Sequence, residues 1–164
     1  MSLSADILRS YRAPRRVLRR QLSAGKREDR ALMYLMLACT LIFIAQWPQM
    51  SRSAQVTDVP IDAWRGGAVI GVMFVLPLLA YGLAFLLWLG LRPFGPASAY
   101  GTRLALFWAM LVVSPLMLVQ SALTSVLGTA SAAVQLFGLG VLAVFLVILV
   151  AGLRAALEAG RAAA

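Results

Sequence analysis

Hydrophobic positions fall into three long charge-free stretches, Ala31 to Ser51, Gly66 to Leu91 and Leu104 to Leu153, with single charged residues or short polar loops between them. A helix rises about 1.5 Å per residue, so crossing a hydrocarbon core of about 30 Å takes about 20 residues. The first two stretches each suit one crossing. The third has 50 residues, enough for a helix of about 75 Å, and so must fold back. GTASAA, residues 128 to 133, is the place for the turn, because Gly and small polar residues interrupt the Leu, Val and Phe pattern there. The pattern predicts an all-α fold: a polytopic membrane helical bundle with spans at about 30–48, 67–91, 103–127 and 134–154. Strands are excluded because the runs are too long and too uniformly apolar for barrel strands, and lipid offers no partner to open backbone groups.

Ahead of the first span, residues 1–29 show a different periodicity. At 100° per residue, Leu3, Ile7, Tyr11, Leu18 and Leu22 fall within an arc of about 100°, while Arg9, Arg12, Arg16, Arg19 and Arg20 take the opposite side. Pro14 sits in the middle, where it breaks one helix or starts another. The expectation is a short helix to about Ala13, a second from Pro14 to Ser23 ended by Ala24 and Gly25, and then KREDR leading into the membrane. Such an arm would lie in the headgroup plane with its apolar face down and its arginines near anionic lipid headgroups. Residues 30–164 form the transmembrane domain.

Composition agrees with this division: 62% of residues are hydrophobic and 13% charged, with a mean hydropathy of +0.86, outside the range of a soluble domain. Of fifteen Lys and Arg, nine precede Ala31, and the other six, Arg52, Arg65, Arg92, Arg103, Arg154 and Arg161, punctuate the apolar segments. An N-terminus in the cytoplasm puts thirteen cations on the cytoplasmic side and leaves Arg52 and Arg65 outside, where Asp58 and Asp62 offset them. Both termini are then cytoplasmic. The first apolar run is longer than a signal-peptide core and lacks a small-x-small cleavage site, so it reads as a retained span. The preference for Arg over Lys, with abundant Ala and Gly, points to a bacterial inner membrane.

Chemistry is sparse. There is no His and one Cys, Cys39, so neither an internal disulfide nor a His or multi-Cys metal site can form. No nucleophile with a base, paired carboxylates or Gly-rich phosphate loop occurs, and no cofactor is expected, so the chain reads as non-enzymatic. The spans carry no ionisable side chain of the kind that proton relays use. Pro77 and Pro115 fall near mid-helix, where each bends its helix and frees the carbonyl four residues back, at Met73 and Leu111. Gly67 and Gly71 (GxxxG), Ser121 and Ser125 (small-xxx-small) and Gln120 read as helix-packing positions.

Three uses of the arm compete: an orientation signal, a docking surface for anionic lipid or another integral membrane protein, and nucleic-acid binding. The last would need aromatic platforms, and Tyr11 alone does not supply them, so no nucleic-acid partner is expected. The candidate docking residues are Leu3, Ile7, Arg9, Tyr11, Arg12, Arg16, Leu18, Arg19 and Arg20.

The stretch YGTRLALFWAMLVVSPLMLVQSAL, Tyr100 to Leu123, resembles the part of bacterial YIP-family (Ypt/Rab GTPase-interacting-protein-like) proteins in which a Gly and a basic residue open a span with a central Pro. The arm, the first span and the LPLLAYG of the second fit the same layout. Relatives of that family typically have five spans where four are counted here, and their DLYGP-type signature is absent. The resemblance implies a non-enzymatic membrane protein that organises or accompanies other membrane components as an accessory, scaffold or assembly factor; a small transporter or permease component is the alternative.

Overall fold

The computed structural model describes residues 3–56 and 60–163; Asp58 lies outside them. The arm forms two helices, α1 (Leu3–Ser10) and α2 (Pro14–Ser23). Pro14 opens the second, where its missing N–H costs nothing, and Gly25 follows at φ 90°, a left-handed backbone that glycine tolerates. Then come α3 (Glu28–Val56), α4 (Ile61–Val69), a wider π turn (Ile70–Val75), α5 (Leu76–Leu91), a 3-10 turn (Arg92–Phe94), α6 (Ala99–Leu127) and α7 (Ala132–Ala163). Four helical stretches are long and apolar enough to cross a membrane: α3, the continuous stretch from α4 through α5 to Phe94, α6 and α7. No strand occurs among the described residues.

All four spans run beyond their predicted ends, the second from Ile61 to Phe94. The α3 helix continues through Pro48 to Val56, since the residues after Trp47 carry no glycine or second proline to stop it. The α6 helix starts four residues before Arg103, because Ser98 caps it by accepting the Gly101 N–H at 3.0 Å. The α7 helix passes Leu153 and runs on through Glu158 and Arg161. The turn between α6 and α7 is where the sequence puts it: α6 stops at Leu127 and Gly128 takes φ 81°.

The α6 helix is the axis of the bundle. Of its most apolar stretch, 56% is buried within the protein, against 28%, 17% and 22% for the other three. Trp108, Phe107, Leu104, Leu106 and Leu111 are its largest buried side chains. The α3, α5 and α7 helices pack on different sides of it, and in the half nearer its N-terminus the arm supplies a further side, α1 against α6 and α2 against α7.

Close approach of α6 and α7 is made by small residues. A Cβ on Gly152 would lie 2.9 Å from Ala105 Cβ, and one on Gly101 would lie 3.0 Å from Ala156 Cβ. Helices without bulk at these positions can approach until their backbones nearly touch. The residues expected to serve this purpose do not: no atom of another element lies within 4 Å of a Cβ built on Gly67 or Gly71. The intramolecular contact predicted for that GxxxG pair is therefore not made. The two glycines instead line a recess of about 530 Å³ that they share with Gln46, Gln49 and Met50 of α3, so a gap stands where close packing was expected.

The two prolines are accommodated in different ways. Before Pro77 the helix widens into the π turn, and the Leu76 N–H reaches the Gly71 carbonyl five residues back. Pro115 leaves the Leu111 carbonyl without its usual N–H, and the buried Ser114 hydroxyl donates to that oxygen at 2.9 Å. Neighbouring hydroxyls commonly re-satisfy a proline break inside membrane helices.

Candidate functional site: the docked arm and the cleft at the opposite end

The arm's apolar face is turned into the protein's own bundle. Leu18 and Ser10 are fully buried and Val17 nearly so. Leu18 Cδ1 lies 3.0 Å from where a Gly152 Cβ would be, so it rests on the α7 backbone where α6 and α7 meet. Leu3, Ile7 and Leu22 pack partly buried against the same core. An amphipathic pattern states that one face is buried, and here the burying surface is α6 and α7 in addition to any lipid.

Two polar contacts tie the arm to α6, one of them extended by a bond within α1. The Trp108 indole N–H donates to Ser10 Oγ at 2.9 Å, and the Ser10 hydroxyl donates in turn to the Asp6 carbonyl at 2.8 Å. Every member of this buried relay is satisfied, which is the condition for a buried polar group to stabilise. The Tyr11 hydroxyl donates to the Val112 carbonyl at 2.5 Å, three residues before Pro115. Partial burial pushes the Tyr11 phenol pKa above its ordinary value, so the phenol remains a donor through the neutral range. Tyr34 of α3 stacks edge-on against Trp108 with ring centroids 4.8 Å apart.

Ion pairs add a rim. Arg15 pairs with Glu158 of α7, Arg20 with Asp6 at 2.6 Å, and Arg103 with Glu28 at 2.5 Å. All are partly exposed, so each is worth about 0–1 kcal/mol. One group opposes docking: Gln21 is 6% exposed, and neither its side-chain nitrogen nor its oxygen has a partner among the described residues.

What the arm leaves outward is cationic. Arg9, Arg12, Arg16, Arg19 and Arg20 are all exposed. Arg20 is held by Asp6, whereas the other four side chains have no hydrogen bond or ion pair among the described residues.

From the middle of the spans towards the end opposite the arm runs a cleft of about 590 Å³ lined from all four spans, including Gln46, Gly71, Gln120 and Gly138. Gln120, expected as a packing residue, lies over Gly138, where a Cβ would come within 2.6 Å of its amide nitrogen. Ser121 donates to the Ala45 carbonyl of α3 and is a true interhelical contact. Ser125 instead bonds Ser121 O within its own helix at 3.0 Å. Arg52 donates to the Thr124 and Ser125 carbonyls at the C-terminal end of α6, where a cation complements the helix dipole.

Sequence reasoning missed Gln46, Gln49, Ser10, Gln21 and Gly152. Gln46 and Gln49 stand inside the first apolar run and were legible as polar interruptions; Ser10, Gln21 and Gly152 acquire meaning only from the surroundings that the fold brings to them.

No protein-family model, curated protein or solved structure matches the chain.

Proposed function

We propose that the chain is a non-enzymatic integral membrane protein that acts as an accessory, scaffold or assembly factor for other membrane components. Both termini are cytoplasmic in this reading, at a bacterial inner membrane, because thirteen of fifteen cations fall at the arm's end of the spans. The observation that carries the reading is the outward face of the docked arm. Arg9, Arg12, Arg16 and Arg19 are exposed and without side-chain partners among the described residues, on an arm that Leu18, Ser10 and Tyr11 fix to the bundle. An orientation signal needs only charge near the first span, which Lys26, Arg27 and Arg30 supply. A fixed cationic surface suits the acidic face of another integral membrane protein or anionic headgroups. A role in organising membrane components, such as the YIP resemblance implies, is compatible with it.

The test replaces Arg9, Arg12, Arg16 and Arg19 by Gln together. Insertion, abundance and topology should persist, while recovery of a co-purifying membrane protein, or binding to anionic liposomes, falls and becomes less salt-dependent. Unchanged recovery and lipid binding would reduce the arm to an orientation signal. The alternative, a small transporter, draws on one observation: carboxamides from two spans face one cleft lined by all four. Saturable uptake into reconstituted liposomes, driven by a proton or sodium gradient, would favour it.

A further inference from the structure

Gln46 and Gln120 come from α3 and α6 to the same cleft, and neither side-chain amide has a hydrogen-bond partner among the described residues. Counted along the helix axes, Gln46 is about 22 Å beyond Ala31 and Gln120 about 26 Å beyond Arg103. Both are therefore within a hydrocarbon core of about 30 Å, in the third nearest the end opposite the arm. There is no bulk water at that depth to satisfy them, and a bare amide in hydrocarbon costs several kcal/mol.

The surroundings change character along the cleft. Towards the spans' far end it shares Gln46 and Gln120 with a recess lined by Gln49, Ser121, Thr124 and Ser125. Towards the middle it shares Leu76, Leu79, Met110 and Phe145 with an apolar trough of about 730 Å³ lined by α5, by Leu106 and Met110 of α6 and by Phe145 of α7. Arg52 is bonded to the backbone carbonyls of Thr124 and Ser125, two residues of that recess. Its guanidinium uses two N–H groups on the Thr124 and Ser125 carbonyls, which leaves three of the five donors such a group carries. It pairs with no carboxylate among the described residues. The order is thus cation, amides, hydrocarbon, and the volumes fall within the range of clefts that hold small ligands.

We propose that this cleft binds one phospholipid from the leaflet opposite the arm, with its phosphate at Arg52, an ester carbonyl accepting from Gln46 or Gln120, and an acyl chain in the trough along α5 and α6. The polarity gradient matches that of a glycerophospholipid, which also carries its acceptors just beneath its charge. A second transmembrane helix could offer the amides a carbonyl lone pair, as Ala45 does to Ser121, but its apolar face would bring no anion to Arg52.

The test uses the full chain, purified in mild detergent, stripped of lipid and titrated with phosphatidylglycerol or phosphatidylcholine under native mass spectrometry. Gly71→Phe is the blocking variant, since nothing lies within 4 Å of a Cβ at that position and the ring enters the cleft. Gln46→Leu with Gln120→Leu is the second variant, which keeps side-chain bulk and removes the donors.

One lipid should bind the wild type above background, with phosphatidylglycerol preferred. Gly71→Phe should abolish that stoichiometric site. The double Leu variant should weaken it about two- to tenfold per amide. Arg52→Gln should erase the preference for the anionic lipid. Equal retention by wild type and both cleft variants would overturn the proposal. So would a wild-type dimer that Gly71→Phe dissolves, since a second copy would then be the occupant.

Discussion

Truncating Leu18 to Ala tests whether the bundle itself holds the arm. Leu18 is fully buried, with Cδ1 on the α7 backbone at Gly152 and Ala105 beside it. Leu→Ala in a packed core costs about 2–5 kcal/mol, the spread following the cavity left behind. An arm that lifts away keeps an amphipathic face that lipid can take up, so part of the transfer energy is recovered and the lower end applies. A loss of about 2 kcal/mol raises the undocked population about 30-fold. The arm carries six arginines between Arg9 and Arg20, so trypsin reports that population directly when cleavage is slow relative to redocking. Cleavage within the arm of the reconstituted protein should accelerate about 30-fold in Leu18→Ala by that conversion. Leu8→Ala, which truncates a side chain 69% exposed on the same arm, should change the rate less than about twofold. If Leu8→Ala accelerates cleavage as much as Leu18→Ala, lipid and not α7 holds the arm. If neither does, the docking account fails.

Replacing Gln21 by Leu removes a buried carboxamide that has no partner among the described residues and should slow arm cleavage about tenfold, corresponding to about 1–3 kcal/mol of removed desolvation penalty. Tyr11 donates to the Val112 carbonyl only as the neutral phenol, and burial raises its pKa. Its contribution to docking is therefore complete below the phenol's ordinary pKa and is lost as pH rises through the raised value. An alkaline near-ultraviolet dichroism titration should show a step in the wild type that Tyr11→Phe lacks. Arg52→Gln should speed amide exchange in the last turn of α6 a few-fold, reflecting about 0.3–1 kcal/mol of lost dipole and carbonyl interaction, while exchange near Trp108 is unchanged.

The elements legible in the sequence are those with local causes. Pro14 and Gly25 bound the second arm helix, Gly128 ends α6, and the lengths of the apolar runs give four crossings. What was not legible depends on contacts between residues far apart in the chain. The phase of Leu3, Ile7, Tyr11, Leu18 and Leu22 states that a face is buried, and it is the same whether lipid or α7 buries it; Leu18 on Gly152 joins positions 134 residues apart. Small-residue spacing misdirected the packing assignment for a similar reason. Gly67 and Gly71 satisfy GxxxG and face open space, while Gly101, Ala105, Gly152 and Ala156 make the close seam of α6 and α7. Chain spacing identifies which residues share a helix face and leaves undetermined which faces meet.

The central claim, that the arm's arginine face is a contact surface for another membrane component, is tested most directly by a photocrosslinking amino acid at exposed position 16 in native membranes. A second probe at position 126, whose valine is 83% exposed at the far end of α6, serves as control. The expected result is a discrete protein adduct from position 16 that disappears when Arg9, Arg12 and Arg19 are changed to Gln, and that position 126 does not give. No discrete protein or lipid adduct at position 16, or the same adducts at both positions and in the Gln background, would contradict the account.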